Sequence, residues 1–245
     1  SSVKGKNPFK DIRVRKAFYQ AIDIETIKTR VMRGLATPSP LMIAPELFPH
    51  TGFTRAKFDA TEAKKLLTDA GYPDGFTVGM DCPNDRYVND GQICQAVVGM
   101  LARIGVKVNL LAQTRSKYFT KILRKSDFKP GETSFYMLGW SPAATYDVHN
   151  VFEALLQTPN ATSKKGQFNV SGYSNKAVDE LADKMEAETD VAKRNGMILE
   201  ATKLYTQDYA YIPLHQQAVV WAARKNVSLH QPADNRFPLR FVTLK

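Results

Sequence analysis

Residues 76–111 read FTVGMDCPNDRYVNDGQICQAVVGMLARIGVKVNLL, and this stretch decides the fold. Apolar residues alternate with small or polar ones from 76 to 80, which predicts a β-strand. After a polar loop that begins at Asp81, apolar residues recur at three-and-four spacing and predict a helix that ends at Gly105. A second alternating run starts at Val106. A strand, a helix and a strand joined by short connections predict two parallel strands.

A third strand follows by the same rule. Thr114 is placed to cap a helix, and residues 134–138 form a short β-prone run that stops at Gly139, directly before Trp140. Because each connection is short and crossovers are right-handed as a rule, the three strands are expected to run parallel. The sequence therefore predicts an α/β fold with a mainly parallel sheet flanked by helices.

The loops after these strands carry the candidate binding residues. The carboxyl ends of parallel strands share one edge, where open α/β sheets bind ligands. The side chains expected at this edge are aromatic, hydrogen-bonding or cationic: Asn84, Arg86, Tyr87, Gln113, Trp140 and Ser141. Trp140 would provide an apolar wall and Arg86 an anion contact, while the polar groups would form hydrogen bonds. This combination suits a small polar ligand better than a reaction.

Two of these residues have a second interpretation. Trp140 can simply belong to the hydrophobic core, where tryptophan is highly buried on average. Arg86 can pair on the surface with Asp85 or Asp90 instead of contacting a ligand. The residues alone leave both alternatives open.

Further helices and connectors are predicted on either side. The residues placed to cap these helices are Asp11, Asp23, Asp59, Ser174 and Asp190. Four prolines between residues 36 and 49 exclude a helix or a central strand, so this segment is expected to run extended across the surface. Residues 211–214 and 219–223 are predicted to be strands, and the residues after them show no periodicity.

The composition restricts the class of protein. The net charge is +10, but Lys and Arg are scattered beside Asp and Glu, so a nucleic-acid-binding domain is kept only as an alternative. No apolar run approaches the ~20 residues that span a bilayer. Cys82 and Cys94 could form one bridge in an oxidising compartment, and their spacing does not decide it. The start at Ser1, without a secretion signal, is expected of a fragment or a processed product.

Support for catalysis is confined to one short cluster. Asp147, His149 and Glu153 could contribute to a metal site, because His149 and Glu153 would lie one helical turn apart. A metal-dependent enzyme is therefore a second alternative. The sequence has neither a phosphate-cradling glycine-rich loop nor a nucleophile elbow. We expect that the protein is not an enzyme and has no catalytic residue, no metal site and no cofactor.

Several segments resemble a known family. They are residues 7–17 followed by 21–23, then 34–38, 58–76, 139–140, 172–175 with Asp179, and 212–214. In this order they closely resemble the family 5 extracellular solute-binding proteins of the dipeptide/oligopeptide/nickel type, which are the receptors of ABC importers. The resemblance covers nearly all of the chain, and residues 58–76 are its most specific part.

The resemblance implies a periplasmic-binding-protein-like fold of two lobes that close over a ligand, of which this chain is the C-terminal half. Residues 1–210 would form the second lobe, and residues 211–245 would be strands and a tail that complete the first lobe. The loop at Trp140 would face the cleft. Peptide-binding members place an Asp shortly after this Trp to pair with the ligand's amino group, but residues 141–144 contain none. Either Asp147 replaces that carboxylate, or the ligand lacks a cation.

The resemblance also implies a function. We expect the substrate-binding component of an ABC importer, located in the periplasm or otherwise outside the cytoplasm. It would capture a peptide-like or other small polar solute between the lobes and deliver it to permease subunits in the membrane. We expect a monomer that does not bind nucleic acid.

Overall fold

The computed structural model describes residues 7–123, 134–142, 145–232 and 236–245, and the predicted loop residues Ala143 and Ala144 lie outside them. The helices in this part are α1 (Ile12–Ala21), α2 (Ile24–Thr26, continued by a π-helical turn, Ile27–Val31), α3 (Ala60–Asp69), α4 (Asp90–Ala102), α5 (Arg115–Ile122), α6 (His149–Val151, continued by a π-helical turn, Phe152–Leu156), α7 (Lys176–Ala187) and α8 (Val191–Gln207). The strands are β1 (Ala36–Pro38), β2 (Phe76–Pro83), β3 (Val106–Gln113), β4 (Phe135–Tyr136), β5 (His215–Gln217), β6 (Val227–Ser228) and β7 (Thr243–Leu244). Among these helices, none combines the length and the apolar character needed to cross a bilayer.

The central sheet confirms the predicted parallel arrangement. Its strand order is β3-β2-β4, and both outer strands run parallel to β2. Phe76 pairs with Val106 at the start of β2, and Pro83 pairs with Gln113 at its end. The carboxyl ends of the three strands therefore share one edge, with helices packed against the sheet.

The first strand of this sheet is longer than predicted because an ion pair is buried at its end. The Asp81 side chain is completely buried, and the Lys121 ammonium, with 8% of its side chain exposed, lies 2.8 Å from its carboxylate. A buried carboxylate is tolerated when an opposite charge and hydrogen bonds compensate for lost hydration. β2 therefore continues past Asp81 to Pro83, and the polar loop begins at Asn84.

A first hydrophobic core lies between the sheet and helices α1, α3 and α4. The predicted apolar face of α1 is buried in it: Val14, Ala17, Phe18, Ala21 and Ile22. The predicted caps also form, since Asp11 accepts a hydrogen bond from the Arg13 N–H at 2.8 Å and Asp59 accepts one from the Glu62 N–H at 2.8 Å. The regular spacing and the caps fix these helices locally.

Two glycines let the turn before β2 touch the turn before β3. A Cβ atom on Gly75 would lie 1.8 Å from the carbonyl oxygen of Gly105. The φ angles are +73° at Gly75 and +88° at Gly105, in the region that favours glycine. Glycine at both positions therefore allows the two strands to start side by side.

A second core lies among α6, α7 and α8. Leu41 and Ile43 from the proline-rich segment are buried in it, with 1% and 0% exposure. The prediction that this segment runs across the surface is therefore wrong for these residues. Prolines prevent a helix, but they leave the apolar side chains between them free to pack.

At the starts of α7 and α5, a residue other than the predicted one accepts the hydrogen bond from the helix N–H group. Asn175 rather than Ser174 caps α7, accepting a hydrogen bond from the Ala177 N–H at 3.0 Å. Thr114 makes no side-chain cap on α5; instead, Asp85 accepts a hydrogen bond from the Arg115 N–H at 2.5 Å. Any well-placed side-chain oxygen can accept from a free N–H group at a helix start. A cap is therefore present at both helices, as predicted, but the prediction of the capping residue is wrong.

The C-terminal residues pair in two small antiparallel sheets. β5 pairs with β1, so that His215 lies opposite Pro38, and β6 pairs with β7. The strands predicted at 211–214 and 219–223 are wrong, because neither segment is a strand; β5 lies at His215–Gln217 instead. Val219 and Val220 are exposed, and strand formation needs a partner edge that the described residues do not provide.

The two cysteines form a disulfide bond between Cys82 and Cys94. This bond joins the end of β2 to α4 across the polar loop, and both residues are fully buried. The sequence left open whether Cys82 and Cys94 are bridged, and the structure shows that they are.

Candidate functional site

A cleft of about 1310 Å³ opens between the two cores, at the carboxyl edge of the parallel sheet. Four of the predicted binding residues line it together: Arg86, Tyr87, Trp140 and Ser141. The loop after β2 and the loop after β4 bring them to the same wall. This follows from the parallel strands, which end at the same edge of the sheet.

Gly139 lets these two loops approach each other. A Cβ atom at this position would lie 2.6 Å from Cε1 of Tyr87, so the phenol ring rests directly against the glycine. The Tyr87 hydroxyl donates a hydrogen bond to the Gly139 carbonyl oxygen at 3.1 Å. Burial raises the pKa of the Tyr87 hydroxyl above its ordinary value, so the group stays protonated and remains a donor at neutral pH.

Arg86 is exposed at the rim of the cleft, on the face of the Tyr87 ring. Its guanidinium carbon lies 5.0 Å from the ring centroid, which is a cation–π distance. The two carboxylates considered as its surface partners are engaged elsewhere: Asp85 accepts from the Arg115 N–H, and Asp90 accepts from backbone N–H groups. In the described part of the chain, neither carboxylate forms an ion pair with the Arg86 guanidinium.

Trp140 combines the two interpretations that the sequence left open. It is partly buried against the second core, where its ring centroid lies 4.8 Å from that of Phe168. Its indole Nε1–H donates a hydrogen bond to Asn150 Oδ1 at 3.1 Å, which fixes the ring orientation. The rest of the indole lines the cleft. The residue is thus a firmly held apolar wall.

Three predicted site residues do not line the cleft: Asn84, Gln113 and Asp147. Asn84 is exposed beside it, and its backbone N–H donates to the Gln113 carbonyl oxygen at 2.9 Å. The Gln113 side-chain amide donates to Asp81 Oδ1 at 3.4 Å. Asp147 is held by Arg194, whose Nη2 lies 2.8 and 2.9 Å from the two carboxylate oxygens, and it also accepts from the His149 N–H at 2.9 Å. Burial opposes the charged form of Asp147, but these hydrogen bonds outweigh it and hold the pKa of the carboxyl below its ordinary value.

Sequence reasoning missed a polar cluster that also lines the cleft. The Tyr173 hydroxyl and the Asn175 side-chain amide donate to Asp208 Oδ2 at 2.7 and 2.9 Å. Arg15 Nε donates to the Asp208 carbonyl oxygen at 2.8 Å. These residues come from α1, the loop before α7 and the end of α8, so no local pattern joins them. The resemblance at residues 7–17 and 172–175 gave the only signal for this region.

The metal cluster considered from the sequence is not assembled. The His149 ring nitrogen Nε2 lies 3.1 Å from the Ala182 carbonyl oxygen, within the second core's helices. Among the residues that the structure describes, no group of three or more His, Cys, Asp or Glu is arranged to hold a metal ion.

The sheet with its flanking helices and the cleft at its carboxyl edge define a lobe of the periplasmic-binding-protein type. Of the solved structures that resemble it, the dipeptide binding protein from Pseudoalteromonas sp. SM9913 in complex with Met-Leu has a TM-score of 0.80 and 25% identity, covering 98% of this chain and 46% of that one. DppA from Helicobacter pylori, in complex with the peptide STSA, has a TM-score of 0.74 and 24% identity, covering 86% of this chain and 39% of that one.

The sequence comparisons identify the family. Residues 2–163 match the model of the bacterial extracellular solute-binding proteins, family 5 Middle, and the chain belongs to this family. A curated relative is the glutathione-binding protein GsiB of Salmonella typhimurium, which is 28% identical over 224 residues, or 91% of this chain and 43% of GsiB. The chain thus spans less than half the length of the relatives it matches. Family membership favours solute binding over the two alternatives, a metal-dependent enzyme and a nucleic-acid-binding domain.

Proposed function

We propose that this chain is the ligand-binding part of a substrate-binding component of an ABC importer. Residues 1–210 form its second lobe, and residues 211–245 complete the first lobe in the full-length protein. The observation that carries the proposal is the cleft at the carboxyl edge of the sheet, with an indole and a guanidinium on one wall. Membership of the family supports it.

The proposed ligand is a peptide-like or other small polar solute that carries a carboxylate. Arg86 contacts this carboxylate, since guanidinium groups bind carboxylates through paired hydrogen bonds. Trp140 packs against an apolar part of the ligand, and Tyr87 and Ser141 supply hydrogen bonds. Asn84, Gln113 and Asp147 are assigned no contact, because none of them lines the cleft.

The proposed protein works outside the cytoplasm as a monomer and delivers its solute to permease subunits in the membrane. It needs no cofactor, catalyses no reaction and does not bind nucleic acid. Support comes from the relatives, whose names describe glutathione binding and dipeptide binding.

The test is ligand binding by the full-length protein. A thermal-shift screen of small peptides, amino acids and organic acids, including Met-Leu and glutathione, is followed by calorimetric titration of the solute that stabilises most. Arg86→Gln is expected to weaken the binding of a carboxylate-bearing solute by roughly 10- to 100-fold, as expected for a hydrogen bond to a charged group. Trp140→Ala is expected to weaken it by about 10-fold through lost apolar contact.

Arg103→Gln provides the matched control. It makes the same change at an exposed residue that does not line the cleft, so affinity should stay at the wild-type value. A screen without any stabilising solute would contradict the proposed function. Wild-type affinity in both cleft variants would contradict the assignment of the site.

A further inference from the structure

The loop of residues 84–89, between β2 and α4, carries the two side chains at the rim of the cleft, Arg86 and Tyr87. The backbone N–H groups of these two residues belong to neither a helix nor a strand. A surface loop of this kind is mobile unless specific contacts hold it, and a mobile guanidinium loses conformational entropy when it binds. How the loop is held therefore decides how well the rim is organised for a ligand.

Asp90, the first residue of α4, forms hydrogen bonds with the backbone of this loop. It is 3% exposed, and its Oδ2 accepts hydrogen bonds from the N–H groups of Arg86 and Tyr87, both at 2.9 Å. Its other oxygen, Oδ1, accepts from the Gly91 N–H at 2.9 Å. One buried carboxylate thus satisfies three backbone donors, and hydrogen bonds to a charged acceptor are stronger than neutral ones.

Further contacts limit the movement of the same loop. The Cys82–Cys94 bond ties its two flanking elements together, and Asp85 binds the start of α5 through the Arg115 N–H. Asn89, with a φ angle of +56°, donates from its side-chain amide to the Val31 carbonyl oxygen at 2.9 Å. These contacts anchor the ends of the loop, whereas Asp90 is bonded to the two residues that reach the rim.

We propose that Asp90 is a positioning residue for the cleft. By binding both amides, it sets the backbone from which Arg86 and Tyr87 project and keeps the guanidinium on the face of the phenol ring, 5.0 Å from its centroid. The guanidinium is then presented to an anionic group of a ligand without reordering of the loop. The consequence for binding rests on the proposed function, but the geometry can be measured without any ligand.

The first experiment measures that geometry by NMR of the full-length protein with isotope-labelled arginine. The ring current of Tyr87 shifts the NMR signals of the Arg86 side chain. The signals that disappear in Arg86→Lys are those of Arg86, and Tyr87→Leu shows where they lie without the ring current. Asp90→Asn, which turns one acceptor oxygen into a donor, should move the signals at least halfway to that position. Asp59→Asn, the same change at the cap of α3, should leave them unchanged. A folded Asp90→Asn variant that keeps the wild-type signals would overturn the proposal.

A second variant covers the case in which Asp90→Asn fails to fold. Asp90→Ser keeps a short acceptor for one of the two amides, so its Arg86 signals should lie between those of the wild type and of Tyr87→Leu. Wild-type signals in Asp90→Ser would also overturn the proposal.

The second experiment separates positioning from general stability through a double-mutant cycle. For the solute found by the thermal-shift screen, Asp90→Asn should weaken binding at least 10-fold in the wild-type background and have almost no further effect in Arg86→Gln. An equal loss in both backgrounds would show that Asp90 acts only on stability and would overturn its positioning role. If no solute binds, the proposed function fails, while the NMR result still decides the role of Asp90.

Discussion

His215 is a titratable residue of the cleft whose surroundings favour the neutral imidazole. Its Nδ1 is buried and has no hydrogen-bond partner among the described residues. Burial, with a smaller contribution from the nearby charge of Arg55, lowers the pKa of the His215 imidazole below its ordinary value. Protonation would place a second positive charge beside Arg55 in a partly buried position.

A pH dependence of stability follows from this histidine. The unfolded chain binds the proton more tightly than the folded protein, so the stability present above about pH 6.5 declines as the pH falls below it. His215→Gln should remove this part of the decline. Urea unfolding at pH 7.5 and at pH 5.5 measures it, with His230→Gln in the exposed C-terminal region as the matched control. A decline of the same size in His215→Gln would contradict the prediction.

The residues of the site were partly predictable from the sequence. Trp140, Arg86, Tyr87 and Ser141 could be expected at one edge, because each follows a strand of the same parallel sheet. Asp90 was considered only as an ion-pair partner, since a sequence does not show that a carboxylate will bind backbone amides. Asp147 could not be assigned either, because Arg194, which lies 47 positions further along the chain, takes its carboxylate.

At the level of elements, the turn at Gly75 and the turn at Gly105 are in close contact, so a side chain added there should destabilise the sheet. Gly75→Ala would place a methyl group 1.8 Å from the Gly105 carbonyl oxygen, at a φ angle of +73°. We expect a loss of roughly 3 kcal/mol or more, because left-handed strain and overpacking add. Gly34→Ala, at +80° with no atom within 4 Å of the added methyl, should cost only about 1 kcal/mol from the backbone. Urea unfolding that gives equal losses would contradict this difference.

The disulfide bond joins two elements that also carry the cleft loop. It closes a loop with a sequence separation of 12. By chain entropy, its removal in the double variant Cys82→Ala/Cys94→Ala should cost about 3 kcal/mol. Denaturant unfolding with and without dithiothreitol measures this effect, and the reductant should destabilise the wild type but not the double variant. An equal response of both proteins to the reductant would contradict the prediction.

The elements show which kinds of structure a sequence specifies locally. The helices capped by Asp11, Asp59 and Asp190 and the strand β2 follow from residues within each element, and these predictions are confirmed. The end of β2 depends on Lys121, and the buried part of the proline-rich segment depends on α6 to α8. These features need partners that are distant in the sequence, so periodicity could not predict them.

This chain exposes several large apolar side chains near its C-terminal end. Val220, Leu239 and Leu244 are exposed by 74%, 74% and 78%. Apolar groups that are exposed together promote association. At high micromolar concentration, this chain alone should self-associate, and Leu239→Lys/Leu244→Lys should reduce this without lowering folding stability by more than about 0.5 kcal/mol. Light scattering after size-exclusion chromatography, with Lys203→Glu as a surface control, tests the prediction. An unchanged mass in the double variant would contradict it.

The isolated chain should also bind its ligand poorly. If residues 1–210 form one lobe of the proposed two-lobed site, they provide one of its walls, and a ligand bound to this chain alone would keep much of its surface in water. Calorimetry should therefore give an affinity at least 100-fold weaker for this chain than for the full-length protein. Similar tight binding by both would mean that the second wall contributes little.

The burial of both sulfur atoms of the Cys82–Cys94 bridge sets an order of events during maturation of the protein. Once α4 has docked on β2, an oxidising enzyme has no route to either thiol, because both residues are completely enclosed. The bond must therefore be made while this part of the chain is still open. Protein molecules that fold before the bond is made would keep two buried thiols. Thiol-reactive reagents would detect these thiols only after denaturation.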